Sequence, residues 1–267
     1  MLERTPARGR DGPQFSLVFP AYNPGPRLEN TWRKVCDFLD STREPWEILF
    51  VCDGCTDGTP QRLANWIAEG PNQIRTISYA PNRGKGYAVR RGLEAARGAW
   101  RLFTDVDLAY SLEDVGRVAV ALRAGAAAAI ASRTHPDSRM TLPIALQGYA
   151  YWRHLQSLVF SSLVRWLLPL RQRDTQAGLK GMTAQVAERL LPHLRCNGFG
   201  FDCEFLAACA RWGIPVAEVP VTVRYEDRTS TTGARPTLRM VRELWRIRRR
   251  WKRPPELSQA ASLREAA

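Results

Sequence analysis

A chain of 267 residues, 45% of them hydrophobic, can bury a large core as one domain with or without a tail. Its six cysteines follow neither a disulfide nor a zinc spacing, no stretch is apolar enough for long enough to cross a membrane, and the polar, arginine-rich start is no signal peptide, so a cytosolic protein with reduced thiols is expected. The formal charge of +13 is uneven: from Arg235 to Arg253 there are nine basic residues and one acid, Glu243, a block that reads as a solvated face, a nucleic-acid patch or a patch for anionic membrane.

In chain order, residues 1–14 read as disordered and 15–232 as a catalytic-type domain. Residues 233–253 read as a basic amphipathic helix and 254–267 as a flexible tail. Within the domain a rhythm begins at Phe15–Phe19, a short apolar strand, followed by a helical pattern through Leu28, Trp32, Val35, Cys36 and Leu39. Trp46–Cys52 is a second strand, with Leu63, Ala64, Trp66 and Ile67 marking a helix after it. Ile74–Tyr79 is a third strand, Gly86–Arg97 a helix, Trp100–Thr104 a fourth strand, Leu112–Leu122 a helix and Ala126–Ser132 a fifth strand. Tyr149–Leu168 reads as a helix that is apolar around much of its circumference. A polar stretch, Arg173–Lys180, leads into Gly181, another helix opens near Gly198–Phe205, and Val216–Tyr225 alternates as a strand. Apolar strands alternating with helices predict an α/β fold, a mostly parallel sheet with helices on both faces. Ligands of such sheets lie beyond the C-terminal strand ends.

The distinctive polar groups fall at those ends. Pro20-Ala21-Tyr22-Asn23-Pro24 follows the first strand, and Asp53-Gly54-Cys55-Thr56-Asp57-Gly58-Thr59 the second. Asn82-Arg83-Gly84-Lys85-Gly86 follows the third, Asp105-Val106-Asp107 the fourth and Ser132-Arg133 the fifth. Two carboxylates two residues apart on a strand point to one side. At a strand end Asp105 and Asp107 can converge on Mg²⁺ or Mn²⁺, hard cations that take oxygen ligands and complete their shell with phosphates. The bland alternative is a solvated turn. Asp53 could accept from a ribose hydroxyl or a base N–H; Asp57 fits a helix cap. Glycines beside Lys85 allow close backbone approach to an anion at a helix start. Arg133 and Arg153 are candidates for a second anionic group, since arginine grips phosphate bidentately. Asp202 and Glu204 could supply a general base or simply cap their helix.

This ordered set resembles the family-2 inverting glycosyltransferases of GT-A fold, from about Phe15 to Trp251. Arg173–Lys180 and Gly198–Phe205 look like the dolichyl- or polyprenyl-phosphate sugar synthases, the dolichyl-phosphate glucosyltransferases nearest and the mannosyltransferases next. The resemblance implies a nucleotide-sugar site at Pro20, Tyr22, Asp53, Asn82, Lys85 and Asp105, with a UDP-sugar favoured over a GDP-sugar, and metal at Asp105 and Asp107. It implies an acceptor-phosphate site at Arg133, Arg153, Ser157, Gln176, Lys180 and Arg224, and catalytic carboxylates among Asp105, Asp107, Asp174 and Asp202. Two features depart from that pattern: the chain carries no N-terminal membrane anchor, and Arg224–Ser230 lacks the glycine and Ser-Lys pair often seen there.

The expected reaction moves a hexose from a nucleotide-sugar to a polyprenyl phosphate, a partner met by a peripheral protein at the cytoplasmic membrane face. Met240, Leu244, Ile247 and Trp251 lie on one helical face ringed by arginines, so that face is expected to enter an anionic membrane surface, the alternative being that it packs on the catalytic domain with the arginines only solvated. A phosphate acceptor is already ionised and needs positioning more than a base. A hydroxyl acceptor would need Asp174, Asp202 or Glu204 as base. A nucleotidyltransferase uses similar parts; a nucleic-acid binder would explain the basic block but not five polar motifs at five strand ends, and no nucleic acid is expected.

Overall fold

The computed structural model describes residues 12–141, 161–162, 164–168, 170–224 and 234–251. Seven strands form the main sheet: β1 (Phe15–Ala21), β2 (Trp46–Asp53), β3 (Ile74–Tyr79), β4 (Trp100–Phe103), β5 (Ala128–Ser132), β7 (Lys180–Thr183) and β8 (Val216–Pro220). Their spatial order is β3-β2-β1-β4-β7-β5-β8, while β6 (Arg139–Thr141) and β9 (Thr222–Arg224) pair separately. Every pairing in the main sheet is parallel except those of β7, which runs antiparallel between β4 and β5.

The helices are α1 (Arg27–Ser41), α2 (Thr59–Glu69), α3 (Lys85–Ala95), α4 (Leu112–Arg123), α5 (Ala184–Leu190), α6 (Phe201–Arg211) and α7 (Ala234–Trp251). In α1 the spacing of Leu28, Thr31, Val35 and Leu39 puts one buried stripe on the sheet. Ser111 starts α4 with a capping box, its hydroxyl accepting from Asp114 N while the Asp114 carboxylate accepts from Ser111 N. Successive residues of β1 face opposite layers. Leu17 and Phe19 join a core with Leu28, Val35, Leu63 and Val115 from α1, α2 and α4. Val18 joins a second core with Val89 of α3, Leu190 of α5, Phe205 of α6 and Ile247 of α7. Strands buried on both faces read as continuous apolar runs, which is why this part of the fold is legible in the sequence.

Five expectations need correction or completion. Lys180–Thr183 is a strand, not a polar lead-in, and Val216–Arg224 is two strands broken at Val221. Gln14, expected in the disordered start, is held between Pro45 O, to which its N–H donates at 2.8 Å, and Trp100 N, from which its carbonyl accepts at 3.0 Å. Of the Tyr149–Leu168 helix only residues 161–162 and 164–168 are described, and all but Leu168 are helical; Val164, Leu167 and Leu168 are buried whereas Trp166 is 73% exposed. Finally, α7 does not offer its apolar face outward: Leu244 and Ile247 are buried in the domain core and Trp251 packs against it.

Candidate active site

Parallel pairing sets the C-terminal ends of β1 to β5 on one edge of the sheet. The reversal of β7 brings its first residue to the same edge, because Lys180 is paired with Phe103 of β4 and with Ile130 of β5. The loop Asp174–Leu179 therefore lies among the motifs of the other strands.

On the β1–β3 side the backbone is held by side chains. The buried Asp53 carboxylate accepts from Arg83 N at 2.7 Å, Gly84 N at 2.8 Å and Asn82 Nδ2 at 3.0 Å. It thereby folds the third-strand loop over the second. Gly54 permits this, because a Cβ there would stand 2.2 Å from Asn82 N. Asn23 and Thr56 exchange two hydrogen bonds, and Asp57 accepts from Gly25 N and Thr59 N, both at 3.1 Å, so it ties the start of α2 to the first loop. Pro20 is buried in β1, and the Tyr22 ring stands 57% exposed beside these loops.

At the centre, the Lys85 ammonium lies 2.6 Å from Asp105 Oδ1 and 3.6 Å from Asp202 Oδ2, and Asp202 Oδ1 accepts from Lys180 Nζ at 2.8 Å. Lys180 is fully buried, and its ammonium also donates to Ala177 O. Burial acts to lower the Lys85 pKa, but Asp105, Asp202 and Asp107 outweigh it and hold the lysine charged. Burial foremost, with Asp107 and Asp202 adding, raises Asp105 above the usual carboxylate range against the pull of Lys85. Gly178 closes the wall on the other side: a Cβ there would stand 2.3 Å from Asp105 Oδ2. Asp107 is exposed, with Oδ1 accepting from Ala109 N at 3.1 Å.

On the β5 side Arg133 is locked. Its Nε and Nη2 donate to the two oxygens of buried Asp174 at 2.7 and 2.8 Å, and its backbone N–H adds a third bond at 3.0 Å. Burial would raise the Asp174 pKa, but the bonds and charge of Arg133 more than offset it and the carboxyl stays below its usual range. A carboxylate so engaged takes no proton near neutrality, so Asp174 positions Arg133 rather than serving as a base. Gln176 sits on the same loop with its amide 3.9 Å from Met240 Sδ of α7. Glu204, the other candidate base, faces away: it accepts from Arg195 N, Cys196 N and, at 2.6 Å, Arg250 Nη1. Arg153, Ser157 and the Arg224 side chain lie outside the described residues.

Sequence reasoning missed the linkage of Lys85, Asp202 and Lys180 and the need for Gly178. The usable signal was a lysine and a glycine within a run that turns apolar, Ala177-Gly178-Leu179-Lys180-Gly181-Met182. Cys52 and Cys55 hold no metal-ligand set; all six cysteines are free thiols. Among the described residues no cluster of three or more His, Cys, Asp or Glu could enclose a cation, and no helix is long and apolar enough to cross a membrane.

The glycosyl transferase family 2 profile matches residues 16–177, spanning every motif from β1 to the Asp174 loop. The chain belongs to that family. Among its glycosyltransferase relatives, the dolichyl-phosphate beta-glucosyltransferase of Drosophila melanogaster is 32% identical over 88% of this chain and 74% of its own. The glycosyltransferase AglD of Haloferax volcanii is also 32% identical, over 91% of this chain but only 38% of that longer protein. Glucosyl-3-phosphoglycerate synthase from Mycobacterium tuberculosis, solved with Mn²⁺, UDP-glucose and phosphoglyceric acid, shares the GT-A fold. Its TM-score is 0.64 at 19% identity, covering 95% of this chain and 87% of the other. The same enzyme was also solved with Mg²⁺ and UDP.

Proposed function

We propose that this glycosyltransferase moves a hexose, with inversion, from a UDP-linked donor to a polyprenyl phosphate at the cytoplasmic face of a membrane. The observation that carries the reading is the state of the three carboxylates offered as bases, Asp174, Asp202 and Glu204: among the described residues none of these three is placed to take a proton from an acceptor hydroxyl. Asp174 is consumed by Arg133, Asp202 lies between two ammonium groups, and Glu204 faces the other way. A phosphate acceptor brings its own negative charge and needs only to be held in line. The names of the Drosophila, Dictyostelium discoideum and yeast relatives, all dolichyl-phosphate beta-glucosyltransferases, support the acceptor and the hexose.

Asp105 and Asp107 suit a divalent cation. They are hard oxygen donors, too few to enclose an ion alone, and the missing side chain at Gly178 leaves Asp105 Oδ2 unobstructed where a Cβ would stand 2.3 Å from it. When bound, Mg²⁺ or Mn²⁺ would neutralise charge on the departing diphosphate. Lys85 adds a fixed positive charge at the start of α3, and Asp53 shapes the loop against which the nucleoside would lie, with Pro20, Tyr22 and Asn82 around it. Arg133, held by Asp174, and Gln176 line the acceptor side, whereas Lys180, expected to meet the acceptor phosphate, is fully buried and supports that wall from within through Asp202 and Ala177 O.

Incubating the protein with radiolabelled UDP- and GDP-sugars and a polyprenyl phosphate tests this directly. Label from UDP-glucose should pass into the organic phase with release of UDP. Transfer only to water-soluble hydroxyl acceptors would refute the lipid acceptor, and release of pyrophosphate would refute sugar transfer altogether.

A further inference from the structure

Behind the loop that follows β3, α7 covers a cleft of about 310 Å³ between the start of α3 and the loop before α6. Four arginines line it, Arg83, Arg195, Arg246 and Arg250, against one acid, Glu243. The acid is engaged, with Glu243 Oε2 accepting from Gly200 N at 2.9 Å. Arg250 shares its charge with Glu204 at 2.6 Å. Arg83 is propped on Tyr87, donating to its hydroxyl at 2.8 Å with the guanidinium 4.9 Å from the ring. Among the described residues no carboxylate pairs with Arg83, Arg195 or Arg246.

Three such cations from three separate segments converge on one concave space large enough for a small ligand. Like charges repel, so converging them is unfavourable unless an anion joins them. Guanidinium forks match phosphate oxygens in geometry and charge. We infer that this cleft is a second binding site, taking a phosphate-bearing anion with at least two negative charges and clamping α7 to the α3 loop. The ligand chemistry is shared by a free diphosphate and by an anionic phospholipid headgroup. Arg83 connects the cleft to the nucleotide side, since its backbone N–H holds Asp53 while its side chain reaches into the cleft.

The test is calorimetric titration of the full chain with inorganic pyrophosphate in metal-free buffer. Wild type should show a saturable phase that the double variant Arg195→Ala/Arg246→Ala weakens by about tenfold or more, as expected for lost charge-assisted bonds. Both residues are exposed and neither pairs with a carboxylate among the described residues, so circular dichroism of that variant should match wild type. Glu243→Gln keeps an acceptor for Gly200 but removes the opposing charge, and it should tighten binding several-fold. Lys85→Ala, on the catalytic edge, should leave this phase in place. A phase lost in Lys85→Ala and intact in the arginine variant would overturn the assignment, as would affinity unchanged in both the arginine and the Glu243 variants. Co-sedimentation with phosphatidic acid vesicles, against phosphatidylcholine vesicles, separates the sources. Release of the vesicle-bound protein by pyrophosphate assigns the cleft to a headgroup, and pyrophosphate binding that leaves vesicle binding unchanged assigns it to a free phosphate.

Discussion

Asp105 and Asp107 do different work although the sequence presents them as twins. Asp105 is half-buried against Lys85 and walled by Gly178, while Asp107 is exposed at the turn. Asp107→Asn should lower turnover by about 100-fold, roughly 3 kcal/mol of lost leaving-group stabilisation, with circular dichroism unchanged. Manganese titration followed by electron paramagnetic resonance should show weaker binding in both Asp105→Asn and Asp107→Asn. Because the Asp105 pKa is raised, the ionised form that binds a cation disappears as pH falls through a value above the usual carboxylate range. Manganese affinity should therefore drop at a higher pH than exposed carboxylates would give; a drop confined to pH below about 4 would contradict that assignment. Asp174 has the opposite sign. Its pKa is depressed, so the Arg133 pair contributes stability that is complete above the unfolded value near 3.9 and is lost as pH falls through the folded one. Asp174→Asn should cost about 3 kcal/mol in urea unfolding at pH 7 and remove this pair's share of the acid sensitivity below pH ~4, leaving that of Glu47 and Asp57, whose carboxyls are also held below their usual range. Both dyad residues were legible in the sequence because a strand end announces itself. The roles of Asp174 and Glu204 were not, because they depend on which distant side chain each carboxylate meets.

Helix α7 shows how a correct pattern can mislead about its partner. The amphipathic stripe Met240, Leu244, Ile247, Trp251 is real, but the nearest apolar surface is the domain itself, and burying Leu244 and Ile247 there removes them from any lipid. Glu243 and Arg250 fix the orientation through Gly200 and Glu204. Truncation before Ala234 should therefore destabilise the domain, by about 3 kcal/mol or more for two buried aliphatic side chains, measured as a lower urea midpoint. A truncated chain with unchanged stability would show that the helix is only appended. What remains outward is basic and aromatic: Trp245 is 51% exposed, Trp166 is 73% exposed, and the Arg248 guanidinium lies 5.9 Å from each ring. Tryptophan beside arginine suits the headgroup region. Trp166→Ala/Trp245→Ala should weaken flotation with anionic vesicles at low salt while leaving stability within about 0.5 kcal/mol of wild type. Flotation equal to wild type would remove this face from the membrane contact.

Across the whole molecule, the five parallel strands and their helices were readable because β1, β2, β4 and β5 are largely buried on both faces and all five, the half-exposed edge strand β3 included, are bounded by Gly, Pro or polar turns. The strand β7 was not, since Lys180 breaks its apolar run. That ammonium sits inside the protein only because Asp202, carried by α6, arrives to meet it. Local pattern cannot forecast a charge whose partner is supplied by a helix packed against the sheet.

The position of β7 also sets an order of events during synthesis. Residues 15–132 supply β1 to β5, yet β4 has a sheet neighbour on one side only until Lys180–Thr183 arrives to fill the gap between it and β5. A ribosome adding residues at a handful per second needs several seconds to cover that interval. Throughout it, β4 and β5 offer unpaired amide edges to any other nascent strand. The same insertion delivers the Asp174–Lys180 loop to the edge that carries the other motifs, so the sheet becomes continuous and the proposed acceptor side takes shape in a single closure. A chain interrupted before Lys180 would keep the motifs of β1 to β5 but would lack the wall proposed for the acceptor, and its open edges would make it a candidate for aggregation and removal before it could act.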